Sequence, residues 1–113
     1  MSVASYQSQL NMIDQEIARL ESRMADQSRI EADCQAQIAR IERSMQQTHS
    51  AASYQSYLRQ INTYQSRMND ALRRRADLNQ QIARKRTDRT RVSGYLREPS
   101  QTRLNNNSGR RMR

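Results

Sequence analysis

The residues with the most chemical capacity in this chain are its arginines. Arg73-Arg74-Arg75 and Arg84-Lys85-Arg86-Thr87-Asp88-Arg89-Thr90-Arg91 are its densest basic stretches. Such runs can neutralise phosphates, with an affinity that falls steeply as salt rises. Arg73, Arg74, Arg84, Arg86, Arg89 and Arg91 are therefore candidate phosphate-binding residues. On a helix they spread around more than one face, which a basic helix lying against nucleic acid tolerates. The order of segments runs against a basic leucine zipper, where the basic region precedes the coiled coil; here it follows. The simpler account of the same residues is a solvated Arg-rich helix that balances an acidic neighbour. Lys85 is the only lysine among 20 basic residues, a ratio that a GC-rich coding bias would also give.

Catalytic chemistry has little to stand on. Asp14 and Glu16, or Glu31 and Asp33, lie two apart and point to different faces of a helix, so they are not paired for acid–base work. Cys34 and His49 are each alone of their type, which leaves no disulfide framework and no four-ligand zinc site within one chain. Gly occurs only twice, so there is no glycine-rich turn to cradle a phosphate, and a P-loop or Rossmann fold is excluded. The expectation is a protein that is not an enzyme and uses no cofactor and no metal.

The composition sets the elements that must carry these residues. At 113 residues there is room for one domain. The hydrophobic share is 35 %, below the roughly 45–50 % of ordinary globular chains. A sandwich or barrel wants turn residues every 8–12 positions or so, and two glycines with one proline cannot supply them. Apolar residues never run longer than two together, as in Met12-Ile13. A membrane span takes about 20 of them, and a secretory signal needs its own apolar run. A cytoplasmic protein, or one exported without a cleavable signal, is expected.

What remains is an all-α chain with coiled-coil spacing. With Leu10 at position a, the a series is Leu10, Ile17, Met24, Glu31, Ile38 and Met45. The d series is Ile13, Leu20, Gln27, Cys34 and Ile41. Gln27 and Glu31 interrupt this seam, with Ile30 beside them as a partial substitute. A second stripe runs through Tyr57, Leu58, Ile61, Tyr64, Met68, Ala71, Leu72, Leu78 and Ile82 in a different frame, and continues to Val92 and Leu96. It is interrupted by Arg75, Lys85 and Arg89. The frame breaks between Met45 and Tyr54, where Ser and Thr favour a turn and a helix N-cap.

This pattern predicts two long antiparallel helices forming a coiled-coil helical hairpin over residues 1–98: helix 1 over about 4–46, a turn at about 47–52, helix 2 over about 53–97. A single bent helix of about 90 residues is the alternative. Pro99 should end helix 2, and 99–113, basic and almost free of apolar anchors, should form a flexible tail. Residues 1–46 are net acidic and residues 47–98 net basic, so hairpin packing sets an acidic helix against a basic one. Pairing around His49 matches residues whose numbers sum to about 99, bringing Glu16 toward Arg84 and Asp14 toward Arg86. Ala4-Ser5-Tyr6-Gln7-Ser8 recurs as Ala52-Ser53-Tyr54-Gln55-Ser56, which a helix duplication or a low-complexity composition would each explain.

In that register Leu10 and Ile13 face arginines. Together with Tyr6, Val92 and Leu96 they form an under-paired open end, the candidate partner-binding residues. The partner would be another helical protein or a second copy; nucleic acid is the alternative, and the expected function is an adaptor or chaperone-like interaction module. Tyr6-Gln7-Ser8-Gln9-Leu10 followed by Ile13-Asp14-Gln15-Glu16-Ile17-Ala18-Arg19-Leu20-Glu21 resembles the opening helix of the small helical-hairpin partner proteins of type VII secretion. Gln47-Thr48-His49-Ser50 stands where that group carries its Trp-X-Gly turn. The resemblance implies binding to the helical domain of a larger secreted protein. The stalk-like helical hairpins of flagellar and type III export are similar in shape as well.

Overall fold

The structure, a computed structural model, describes residues 2–96. The chain is an all-α helical hairpin of α1 (Val3–Gln47) and α2 (Ala51–Met112), the latter described as far as residue 96. The single bent helix is excluded by the break at 48–50. The expected stop at Pro99 and the expected tail over 99–113 lie outside the described residues.

Serine starts both helices. The Ser2 hydroxyl accepts the Ser5 N–H at 3.2 Å while the Ser2 carbonyl accepts the Tyr6 N–H at 3.1 Å. Ser50 does the same for Ser53 and Tyr54, at 3.3 and 3.0 Å. An N-cap hydroxyl satisfies an amide that the first turn leaves without a partner, and replacing one by Ala typically costs about 1 kcal/mol. The repeated Ala-Ser-Tyr-Gln-Ser segments thus have one job in common: each lies in the first turns of a helix. The connection needs no glycine. Thr48 donates its N–H to the Met45 carbonyl at 3.3 Å, its hydroxyl accepts the Ser50 N–H at 3.4 Å, and no non-glycine residue described here has a positive φ. The connection is therefore three residues, shorter than the sequence suggests.

The described residues divide into two compact units, one of residues 21–80 and one of residues 2–20 with 81–96. In the first, Cys34, Ile41, Ile61, Ala71 and Leu78 are buried, with Met24, Ile38, Met45, Tyr64 and Met68 half-buried around them. In the second, Leu10, Leu20, Ile82 and Val92 are buried and Ile13, Ile17 and Leu96 half-buried. Every a and d position assigned to α1 between Leu10 and Met45 is buried or half-buried, as the heptads require. Two side chains depart from expectation. Ile30 is 40 % exposed and substitutes for nothing, because the half-buried Gln27 and Glu31 keep their seam places. Leu72 is 42 % exposed, one step outside the α2 seam.

Candidate partner-binding surface

On α2 the seam follows Tyr57, Ile61, Tyr64, Met68, Ala71, Arg75, Leu78, Ile82, Lys85, Arg89, Val92 and Leu96, an unbroken alternation of four and three. The three basic interruptions hold proper seam positions, and each meets an acid of α1. Arg75 Nη1 donates to Glu31 Oε2 at 2.5 Å, with the two side chains 37 % and 20 % exposed. Lys85 Nζ lies 2.5 Å from Glu16 Oε2. Arg89 Nε donates to Asp14 Oδ1 at 2.6 Å. The long apolar stems cover the seam while the charged heads reach its edge. The hydrogen bond to Glu16, followed by the charge of that carboxylate, holds the Lys85 ammonium above the ordinary lysine range.

These partners correct the expected register. Glu16 bonds Lys85 where Arg84 was expected, and Asp14 bonds Arg89 where Arg86 was expected; the contacting numbers sum to 101, 103 and, for Glu31 with Arg75, 106. Side-chain direction accounts for about two of the excess over 99, which covers the Glu16–Lys85 pair and part of the other two. Each side chain leans toward the N-terminus of its own helix, so a spot on the helix is covered by a residue about one position further on. In an antiparallel pair both shifts raise the sum.

The six phosphate candidates are all exposed. Arg89 is held by Asp14, Arg91 Nη2 donates to Asp88 at 2.5 Å, and Arg86 is engaged within the chain. Arg73, Arg74 and Arg84 make no ion pair among the described residues. The five partner candidates divide differently. Leu10 and Val92 are buried, because Arg89 turns its head aside to Asp14 and leaves the seam to them. Ile13 and Leu96 are half-buried, and Tyr6 packs its ring on Tyr95 with centroids 5.5 Å apart. That end is more completely paired than the sequence suggests.

Two shallow grooves in the unit of residues 21–80 were not foreseen. Met24, Leu72, Arg75, Ala76 and Asn79 line one; Glu42, Met45, Gln46 and Tyr54 line the other. Part of the signal is in the sequence: Leu72 belongs to the second apolar stripe, while Ala76 and Asn79 stand on the flank beside it and carry no apolar pattern of their own. In the first groove Arg75 Nε is buried without a protein partner, and in the same unit Gln27 Oε1 is as well. Among the described residues no three His, Cys, Asp or Glu side chains converge on a metal position, and no helix is long and apolar enough to cross a membrane. Neither a protein-family model, nor a curated protein, nor a solved structure matches the chain.

Proposed function

We propose that the chain is a non-enzymatic helical-hairpin interaction module, an adaptor or chaperone-like partner of a larger helical protein. The thinness of its core carries this reading. Nine apolar side chains are buried among the described residues, one of them only an alanine, while Val3, Met12, Ile30, Tyr54, Leu72 and Tyr95 stay exposed. Two helices that each bury one stripe make a marginal core, and a further helix supplies the missing surface. The resemblance to type VII partner hairpins supports the same reading and is the ground for seeking the partner among secretion-system proteins.

The test is co-expression with each large helical protein encoded next to this chain, read by co-elution and by the melting temperature of the hairpin. A true partner co-elutes at fixed stoichiometry and raises that temperature by mass action. A chain that stays monomeric and melts unchanged beside every neighbour overturns the reading. One observation favours a second reading: Arg73, Arg74 and Arg84 stand exposed and make no ion pair among the described residues. If nucleic acid is the partner, a generic duplex should bind with a steep salt dependence, and changing those three to Gln should abolish the complex without loss of helix.

A further inference from the structure

Within the unit of residues 21–80, charge is distributed very unevenly around the hairpin. Ala25, Ala32 and Ala39 of α1 recur at a spacing of seven on one flank of the seam, and all three are exposed. Leu58, Leu72 and Ala76 of α2 stand on the flank that an antiparallel pairing turns to the same side. Met24, Leu72, Arg75, Ala76 and Asn79 already share a groove there. Between these residues the flank positions are Ser28, Gln35, Asn62, Gln65, Asn69 and Asn79. From Ala25 to Ala39, and from Leu58 to Asn79, the flank carries no charge at all. Asp26, Asp33 and Arg40 on α1, and Asp70, Arg74 and Asp77 on α2, all occupy the opposite side.

The strip has a mostly basic rim, with the carboxylate of Glu42 at the end nearest Arg43. Arg29 and Arg43 border it on α1, Arg59 and Arg73 on α2. Arg43, Arg59 and Arg73 make no ion pair among the described residues, and Arg29 has only an exposed contact with Asp26 at 3.7 Å. Ala25, Ser28, Ala32 and Ala39 let another backbone approach closely along α1, while arginines along the sides, without ion pairs among the described residues, call for carboxylates. A second copy of the chain would set arginine rim against arginine rim. Like charges brought together at an interface discriminate against that pairing.

The geometry points to this strip as the docking face for one amphipathic helix whose small apolar stripe is flanked by Asp or Glu. The inference rests on the proposed interaction function and names the chemistry of the partner. The strip from Ala25 to Ala39 is about 20 Å long, enough for roughly four turns of a bound helix.

The experiment uses the full chain and two synthetic helices of about twenty residues, each with an Ala/Leu heptad stripe, one flanked by Glu and its twin by Lys. Binding is read by fluorescence anisotropy, with helix content checked by circular dichroism. The Glu-flanked helix should bind about tenfold or more tighter than its twin. Ala32→Gln with Leu72→Gln, both neutral and exposed, should weaken it by about tenfold. Arg43→Glu with Arg59→Glu and Arg73→Glu should reverse the preference. Equal binding of the twins, or binding lost only through Tyr6 and Ile13, overturns this assignment and leaves the interaction function standing. Self-association abolished by Leu72→Gln also overturns it, because the occupant is then a second copy. If neither helix binds, this assignment falls, and the interaction function is decided by co-elution with the neighbouring helical proteins.

Discussion

The charged layer of the seam should be a weak point of stability that apolar residues can repair. Glu31→Gln keeps the shape of the side chain but removes its charge, leaving the Arg75 guanidinium, 37 % exposed, without its carboxylate. Exposed pairs contribute about 0.2–1 kcal/mol and breaking a buried one costs about 3–5 kcal/mol. A half-buried pair falls between, so Glu31→Gln should cost about 2 kcal/mol. Replacing both partners is different. Two leucines at these positions would each stay partly exposed and contribute about 1–2 kcal/mol by burial. That exceeds what the pair contributes net of desolvation, and the Glu31→Leu/Arg75→Leu chain should be the more stable by about 1 kcal/mol. At roughly 4 °C per kcal/mol, thermal melts followed by circular dichroism should place Glu31→Gln about 8 °C below the native chain and the double variant a few degrees above it. Two outcomes would refute the reasoning: Glu31→Gln melting within a degree of the native chain, or the double variant melting below Glu31→Gln.

Three further outcomes follow from single residues. Because Lys85 is held above the ordinary lysine range by Glu16, its contribution is complete below the unfolded lysine pKa and is lost as pH rises through the higher folded value; alkaline melts should show that loss in the native chain and not in Glu16→Gln. Gly94 lies exposed in α2 with nothing within 4 Å of where a Cβ would stand, so Gly94→Ala should stabilise the chain by about 0.5–1 kcal/mol in urea titrations; destabilisation would mean the helix is not regular there. Cys34, 2 % exposed, should react with a water-soluble disulfide reagent far more slowly than a free thiol, and rapid labelling under native conditions would contradict its burial.

The helical hairpin was legible because two physical rules agreed on it. Heptad spacing placed Leu10, Leu20, Cys34 and Ile41 inside, and all four are buried. The shift of frame near His49 marked the turn, and Ser50 supplied the cap that Ser and Thr enrichment promised. Register was harder, because it depends on the lean of side chains as well as on backbone position. That lean accounts for Lys85 taking the carboxylate expected of Arg84, and for part of the larger shift by which Arg89 takes that expected of Arg86. Arg75 and Glu31 were read as separate flaws in two seams, although each is the partner of the other. Their match is visible only when both helices are in place. The neutral strip escaped for another reason: alanine and asparagine carry no pattern until their neighbours are sorted by face.

The three-residue connection has a kinetic consequence. Closing so short a loop is fast, on a timescale near that of helix growth itself. Once Ser50 caps α2, residues next to the turn meet at the smallest sequence separation the fold offers. Later contacts span longer separations, 44 residues for Glu31 with Arg75 and 75 for Asp14 with Arg89. Because closure entropy grows only slowly with separation once a hairpin has begun, pairing should advance from the turn like a zipper. Each acid–base match would then act as a register check on the step before it. A chain built this way should fold quickly for its length, and a glycine linker inserted at His49 should slow folding while hardly changing the rate of unfolding.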